Sequence, residues 1–189
     1  MNKNSHNDAL HAREAAMGVL FAALAALALI GAIAALSSLA PTAEAKALKS
    51  LNHSFPVPSR HSYGDGVGAG RGHQGQDVFA KCGRRVLAAR GGRIQDRARH
   101  SAAGNYLVVD GRRTKVDYVY MHLRGSGLAR QGQRVATGER IGKVGQSGNA
   151  VGCHLHFEMW SRPGYYEGGD FMRSVTKHLR RWDRQDSKN

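Results

Sequence analysis

Acidic residues are scarce in this 189-residue sequence: 14 Asp and Glu stand against 28 Lys and Arg, a formal charge of +14 with the ten histidines neutral. The first 45 residues hold two cations and three anions, so Lys46–Asn189 carries +15. A body so short of negative charge is drawn to polyanions, and nucleic acid, anionic lipid and anionic cell-wall polymer all qualify. Proline is also rare, four against 24 glycines, which excludes collagen-like and coiled-coil chains and fits a turn-rich β protein. With 41% apolar residues the chain is not a disordered polycation. Its length leaves room for one compact domain rather than two.

Long apolar runs are lacking except for one. Ala15–Leu36 is apolar, no charge occurs from Ala15 to Ala43, and Lys3 and Arg13 precede it. Pro41-Thr42-Ala43-Glu44-Ala45 then offers a small-x-small site before Lys46. Residues 1–45 therefore read as an export signal cut after Ala45. The run exceeds the roughly 7–15 residues of a usual signal core and could span about 30 Å of hydrocarbon, so an uncleaved membrane anchor over residues 15–36 is the alternative. A buried core helix does not fit, because the run is apolar all round and is followed by a polar linker.

Export disfavours a nucleic-acid partner and permits disulfides. Cys82 and Cys153 are the two cysteines, and a bridge between them would close a loop of about 70 residues. Two rivals stand beside it: Cys153 as a metal ligand, and Cys153 as a nucleophile activated by adjacent His154.

After a proline- and glycine-rich entry over 47–71, the pattern becomes short strands divided by turns: Asp77–Ala80, Arg85–Ala89, Arg93–Asp96, Tyr106–Asp110, Lys115–Leu123, Arg140–Val144 and His154–Trp160. Asp110-Gly111 is a strong hairpin turn. Tyr63–Gly70 has no following Gly-Lys-Ser/Thr, so it is not a phosphate-binding loop. The expected fold is all-β, a compact antiparallel domain over residues 46–170. A basic C-terminal helix over 171–189 is marked by Phe171, Val175, Leu179 and Trp182. Gly132–Gly142 is similar to the turn-and-strand unit of hybrid barrels, without a lysine placed to carry a cofactor.

Three motifs concentrate the histidines: His73-Gln74-Gly75-Gln76-Asp77, Tyr120-Met121-His122-Leu123 and His154-Leu155-His156-Phe157-Glu158. Residues two apart on a strand share a face, so His154 and His156 can serve one site. His73 and Asp77 would stand about 13 Å apart if fully extended, so the chain must bend there, with Gly72 and Gly75 supplying the freedom. Catalytic zinc wants three nitrogen or oxygen ligands and an open position for water, which two histidines and Asp77 supply. Two histidines then remain to handle a proton. Nothing matches His-Glu-x-x-His; Glu158 reads either as a carboxylate orienting a ligand or as a packing residue. Val116, Tyr118 and Tyr120 share the His122 face by alternation and line either a groove or the core.

These motifs, with Gly132–Gly145 and Ser147-Gly148-Asn149, resemble the lysostaphin-type zinc metallopeptidases over about Ser54–Gly169. The resemblance implies a duplicated hybrid motif with an open groove and one zinc ion per domain held by His73, Asp77 and His156. It makes His122 and His154 the catalytic pair and peptide cross-links of bacterial peptidoglycan the substrate. Tyr120, Ser147 and Asn149 are expected at the substrate groove, and +15 points to anionic wall polymers as partners. The alternative is a non-enzymatic cell-wall binding module or activator of another wall hydrolase.

Overall fold

The computed structural model describes residues 53–70, 72–111 and 113–188, so the expected export segment and its cleavage site lie outside the described residues. Among the described residues the elements run β1 (His61–Tyr63), β2 (Gln76–Ala80), β3 (Arg85–Leu87), β4 (Gly92–His100), β5 (Gly104–Gly111), β6 (Val116–Leu123), β7 (Arg134–Val135), β8 (Arg140–Lys143), β9 (His154–Ser161) and α1 (Val175–Asp186). Seven strands form one sheet in the order β1-β2-β9-β6-β5-β4-β7, and β3 and β8 make a separate two-stranded ribbon. Every pairing is antiparallel. No helix of the described residues is long and apolar enough to cross a membrane.

Alternation decides what faces what. On β9, Leu155, Phe157 and Met159 join the main core, while His154, His156 and Glu158 project from the other face. On β6, Tyr118 and Tyr120 enter the same core, whereas Val119 and Met121 join a smaller apolar cluster with Val108. Strict alternation would send His122 after Tyr120 into the core. Its φ of 61° breaks the period, so that Leu123 takes the buried place and His122 stays on the Met121 side. A non-glycine residue in the left-handed region is uncommon, and the neighbouring structure must hold it there.

That break corrects one expectation. Tyr120 does not line a groove: it is fully buried in the core, where its hydroxyl accepts a hydrogen bond from the Ala89 N–H at 2.8 Å. A second difference concerns the strand expected over Arg93–Asp96: β4 continues to His100 and pairs with β5, leaving only a tight turn at 101–103.

The helix expected over 171–189 spans Val175–Asp186, and Val175, Leu179 and Trp182 bury its apolar stripe. Trp182 meets Phe157 edge-on and stacks on His53 at 4.6 Å between ring centroids. Asp186 accepts hydrogen bonds from the Phe55 N–H and the Ser54 hydroxyl, tying the start of the domain to its last helix. Burial, assisted by the positive charges of Arg90, His178 and Arg181, pushes the His53 pKa down to about 4. The unfolded chain takes up a proton near pH 6.5 that the folded chain refuses until about 4, so His53 costs stability as pH falls through that window. A His53→Phe variant should therefore show a smaller loss of Tm between pH 7 and 4.5 than the parent. An identical pH profile would refute the assignment.

Candidate active site

Asp77 is the hub of the histidine constellation. It sits on β2 directly opposite His156 of β9. Its Oδ1 lies 2.9 Å from His156 Nδ1, 3.1 Å from His73 Nε2 and 3.7 Å from His154 Nε2. The bend anticipated between His73 and Asp77 is present: β2 begins only at Gln76, and Gly72 turns the chain with a φ of 78°. Gly75 is required by space, because a Cβ there would stand 2.6 Å from both His156 Nε2 and the Phe157 carbonyl oxygen. One donor atom from each of His73, Asp77 and His156 lies within 4.8 Å of the others.

Each imidazole has its outer nitrogen engaged, and this assigns the tautomers. A carbonyl oxygen can pair only with an N–H, so Nδ1 carries the hydrogen in His73, His122 and His154, which face the carbonyls of Gly66, Ser147 and Gly152 at 2.9, 2.8 and 3.1 Å. Their Nε2 atoms turn inward, that of His73 to 3.1 Å and that of His154 to 3.7 Å from Asp77 Oδ1. His156 is reversed, its Nε2 lying 2.8 Å from Glu158 Oε1 and its Nδ1 turned to Asp77. Glu158 is buried and is itself fixed by the Trp160 indole N–H at 2.6 Å. Of its two sequence readings, the orienting carboxylate is the one the geometry matches.

Electrostatics divides the histidines. Burial alone would lower His156, but its hydrogen bonds to Asp77 and Glu158 raise it to about 9, so without a metal it is a cation between two carboxylates. Asp77 answers in the opposite sense: burial pushes it up, and the hydrogen bond and charge of His156, with those of His154 and His73, outweigh this and hold it below its ordinary value. His122 is pushed down to about 4, chiefly by burial, partly opposed by its hydrogen bond to Ser147, so it is neutral at physiological pH.

The donor set of two imidazole nitrogens, their outer nitrogens held by Gly66 and Glu158, and one carboxylate oxygen fits a catalytic metal that keeps an open position. Metal entry must displace the His156 proton, so uptake strengthens as pH rises towards about 9. Glu158→Gln should weaken metal retention about 10–100-fold, read by competition with a chromogenic chelator. Unchanged affinity would reduce Glu158 to a packing residue.

The site floors an open groove of about 750 Å³. Asn149 lines it, as do Phe79, Val151 and Tyr165. Ser147 does not: its hydroxyl bridges the Asn105 N–H and the Leu123 carbonyl, and its own carbonyl aims His122. Sequence reasoning missed Tyr165 and Val151, which stand in loops where no periodicity marks a face. Val151 is 87% exposed, an apolar side chain offered to solvent beside the histidines. Cys82 and Cys153 are joined by a disulfide, their Cα atoms 5.2 Å apart, so the metal-ligand and nucleophile readings of Cys153 fall away.

The model of Peptidase family M23 matches residues 71–168, just over half of the chain, a span that contains His73, Asp77, His122, His154 and His156. The chain belongs to peptidase family M23. Over 87 residues it is 36% identical to the peptidoglycan DD-endopeptidase ShyA of Vibrio cholerae, a match covering 46% of this chain and 20% of that protein. The chain thus spans about a fifth of the length of that curated relative. Among solved M23-like structures, the catalytic domain of lysostaphin from Staphylococcus simulans superposes with a TM-score of 0.59 at 25% identity, covering 68% of this chain and 98% of that one. A zinc-containing peptidase from Vibrio cholerae superposes with a TM-score of 0.52 at 29% identity, covering 57% of this chain and 36% of that one. The antiparallel β architecture expected from the strand pattern, and the lysostaphin-like fold implied by the motifs' resemblance, are the observed ones.

Proposed function

We propose that this M23 protein is an exported zinc metalloendopeptidase that hydrolyses peptide bonds in bacterial peptidoglycan. The observation that carries the reading is the convergence of His73, Asp77 and His156 on one point, with His154 beside them and His122 at 4.7 Å from His154 between ring centroids. Peptidoglycan is the substrate named for the ShyA relative, and zinc is the metal named for the superposed Vibrio peptidase.

His73, Asp77 and His156 would hold the ion. Bound zinc supplies Lewis acidity, polarising the scissile carbonyl and acidifying water. The chain's own residues manage the proton. His122 is kept neutral by burial and His154 turns its Nε2 into the site beside it, and either can take the proton of the attacking water. The resulting imidazolium then donates to the developing oxyanion and returns the proton to the leaving amine. Phe79, Val151 and Tyr165 flank the groove and give an extended peptide an apolar wall. The surplus of positive charge would keep the enzyme on anionic wall polymers, and residues 15–36 would export it or anchor it to the membrane.

Purified protein incubated with cell-wall sacculi should release muropeptides whose masses name the bond cut, and a chelator should stop the release. Protein that retains about one equivalent of zinc yet releases nothing would refute the reading.

A further inference from the structure

A second concave surface leaves the groove at Phe79. That residue lines both the groove and a shallow cleft formed by Arg60, Lys81 and the Cys82–Cys153 bridge. Arg60 is shared in turn with a pocket of about 370 Å³ walled by Pro58, Ser59, Gly83, Arg84 and Arg85. The three depressions therefore make one track that starts at the histidines and ends among guanidinium groups.

More cations stand alongside. The Arg124 guanidinium lies 3.3 Å from where a Cβ on Gly83 would be. Lys143 is the cross-strand partner of Arg85 in the β3–β8 ribbon. Like charges directly opposite each other on neighbouring strands destabilise the pairing, so the fold bears a cost there that an anion would relieve. Among the described residues, none of Arg60, Lys81, Arg84, Arg85, Arg124 and Lys143 has a carboxylate oxygen within 4.0 Å. The pocket wall adds a buried Ser59 hydroxyl with no hydrogen-bond partner. Its base is rigid: the Gly83 N–H donates to the Val144 carbonyl and the Val144 N–H to the Arg84 carbonyl, both at 2.8 Å. An ordinary solvated face intersperses both signs of charge; the two depressions beyond Phe79 have no carboxylate in their linings, and Asp183 beside them is paired with His61.

We infer that the track binds a phosphodiester-bearing polyanion, its phosphates at Arg60, Arg84 and Arg85 and the attached peptide entering the groove past Phe79. A phosphodiester polymer repeats a fixed negative charge at every link of its backbone, which suits guanidinium groups set at separate positions along a track; a peptide carboxylate brings one charge to one place. The placement of the peptide rests on the peptidoglycan reading above, whereas the phosphate site does not.

Full-length protein and an R60A/R84A/R85A variant would be titrated with inorganic polyphosphate at several salt concentrations. The variant should bind at least about tenfold more weakly at 0.15 M salt, and the slope of log affinity against log salt should fall by about 2–3. R60K/R84K/R85K should keep the slope and lose part of the affinity, and R84E alone should reproduce most of the loss. All three side chains are exposed and none lines the histidine groove, so cleavage of an isolated cross-linked muropeptide should keep its kcat/KM. Digestion of wall carrying phosphodiester polymer should slow in the alanine variant, and stripping the polymer with hydrofluoric acid should erase that difference. Equal polyphosphate binding by parent and variant would overturn the site. A digestion difference that survives stripping would transfer the track to peptide carboxylates and overturn the phosphodiester assignment. Arginine-dependent polyphosphate binding by a protein that cuts no wall would support the site and refute the peptidase.

Discussion

Asp77→Ala should lose its bound metal and at least about a thousandfold of wall-digesting activity, equivalent to about 4 kcal/mol of transition-state stabilisation. The size follows from position. One oxygen of Asp77 lies within 3.1 Å of both His73 and His156 and 3.7 Å from His154, so its removal deprives three imidazoles of their shared partner. It also leaves like-charged or neutral rings facing each other, with only Glu158 to hold His156. Asp77→Asn separates charge from shape: the amide keeps the side-chain volume and one carbonyl oxygen but brings no negative charge to a cation. It should retain the fold by circular dichroism and still lose zinc, measured by atomic emission on dialysed protein. An Asp77→Asn protein with one equivalent of zinc and full activity would remove Asp77 from the metal set.

The sequence made much of this centre legible because strands translate spacing into facing. His154 and His156 are two apart on β9 and do share a face, and the glycines around His73 do bend the chain back to Asp77. Alternation failed where the backbone left the strand region. Nothing in Tyr120-Met121-His122-Leu123 announces a positive φ at a histidine, yet that one dihedral decides that Tyr120 packs in the core while His122 reaches the groove. Alternation marks Glu158 as a same-face neighbour, but its partner Trp160, two residues further along the strand, matters as much, and the strand pattern does not mark its indole as a donor. The groove walls were least legible. Tyr165 belongs to a loop pinned by its N–H to the buried Asp117 carboxylate of β6, a contact across 48 residues with no local signature. Arg162 reaches Asp110 from the same loop. Side chains whose placement depends on such long-range clasps carry no period to read.

Removing the Cys82–Cys153 bridge should lower stability by about 4 kcal/mol on the chain-entropy model, given the sequence separation of 71 between the cysteines, and lower Tm by roughly 10–15 °C. The bridge does more than close a loop. Cys82 follows the end of β2 and Cys153 immediately precedes β9, at the margin where Phe79 faces His154 across the sheet. The Ala80 N–H donates to the Cys153 carbonyl at 3.3 Å, and the neighbouring Gly152 carbonyl holds the His154 ring. His73 and Asp77 have no part in that turn, and His156 is fastened through Asp77 and Glu158. Cys82→Ala/Cys153→Ala should therefore retain zinc at temperatures where it stays folded, while its kcat drops as His154 loses its fixed tautomer and aim. Parent protein treated with a reductant should behave in the same way, and reoxidation should restore it. A double variant whose Tm stays within about 2 °C of the parent would refute the stabilising role. Loss of zinc and activity in equal measure, below the melting range, would show instead that the bridge supports the whole metal set rather than His154.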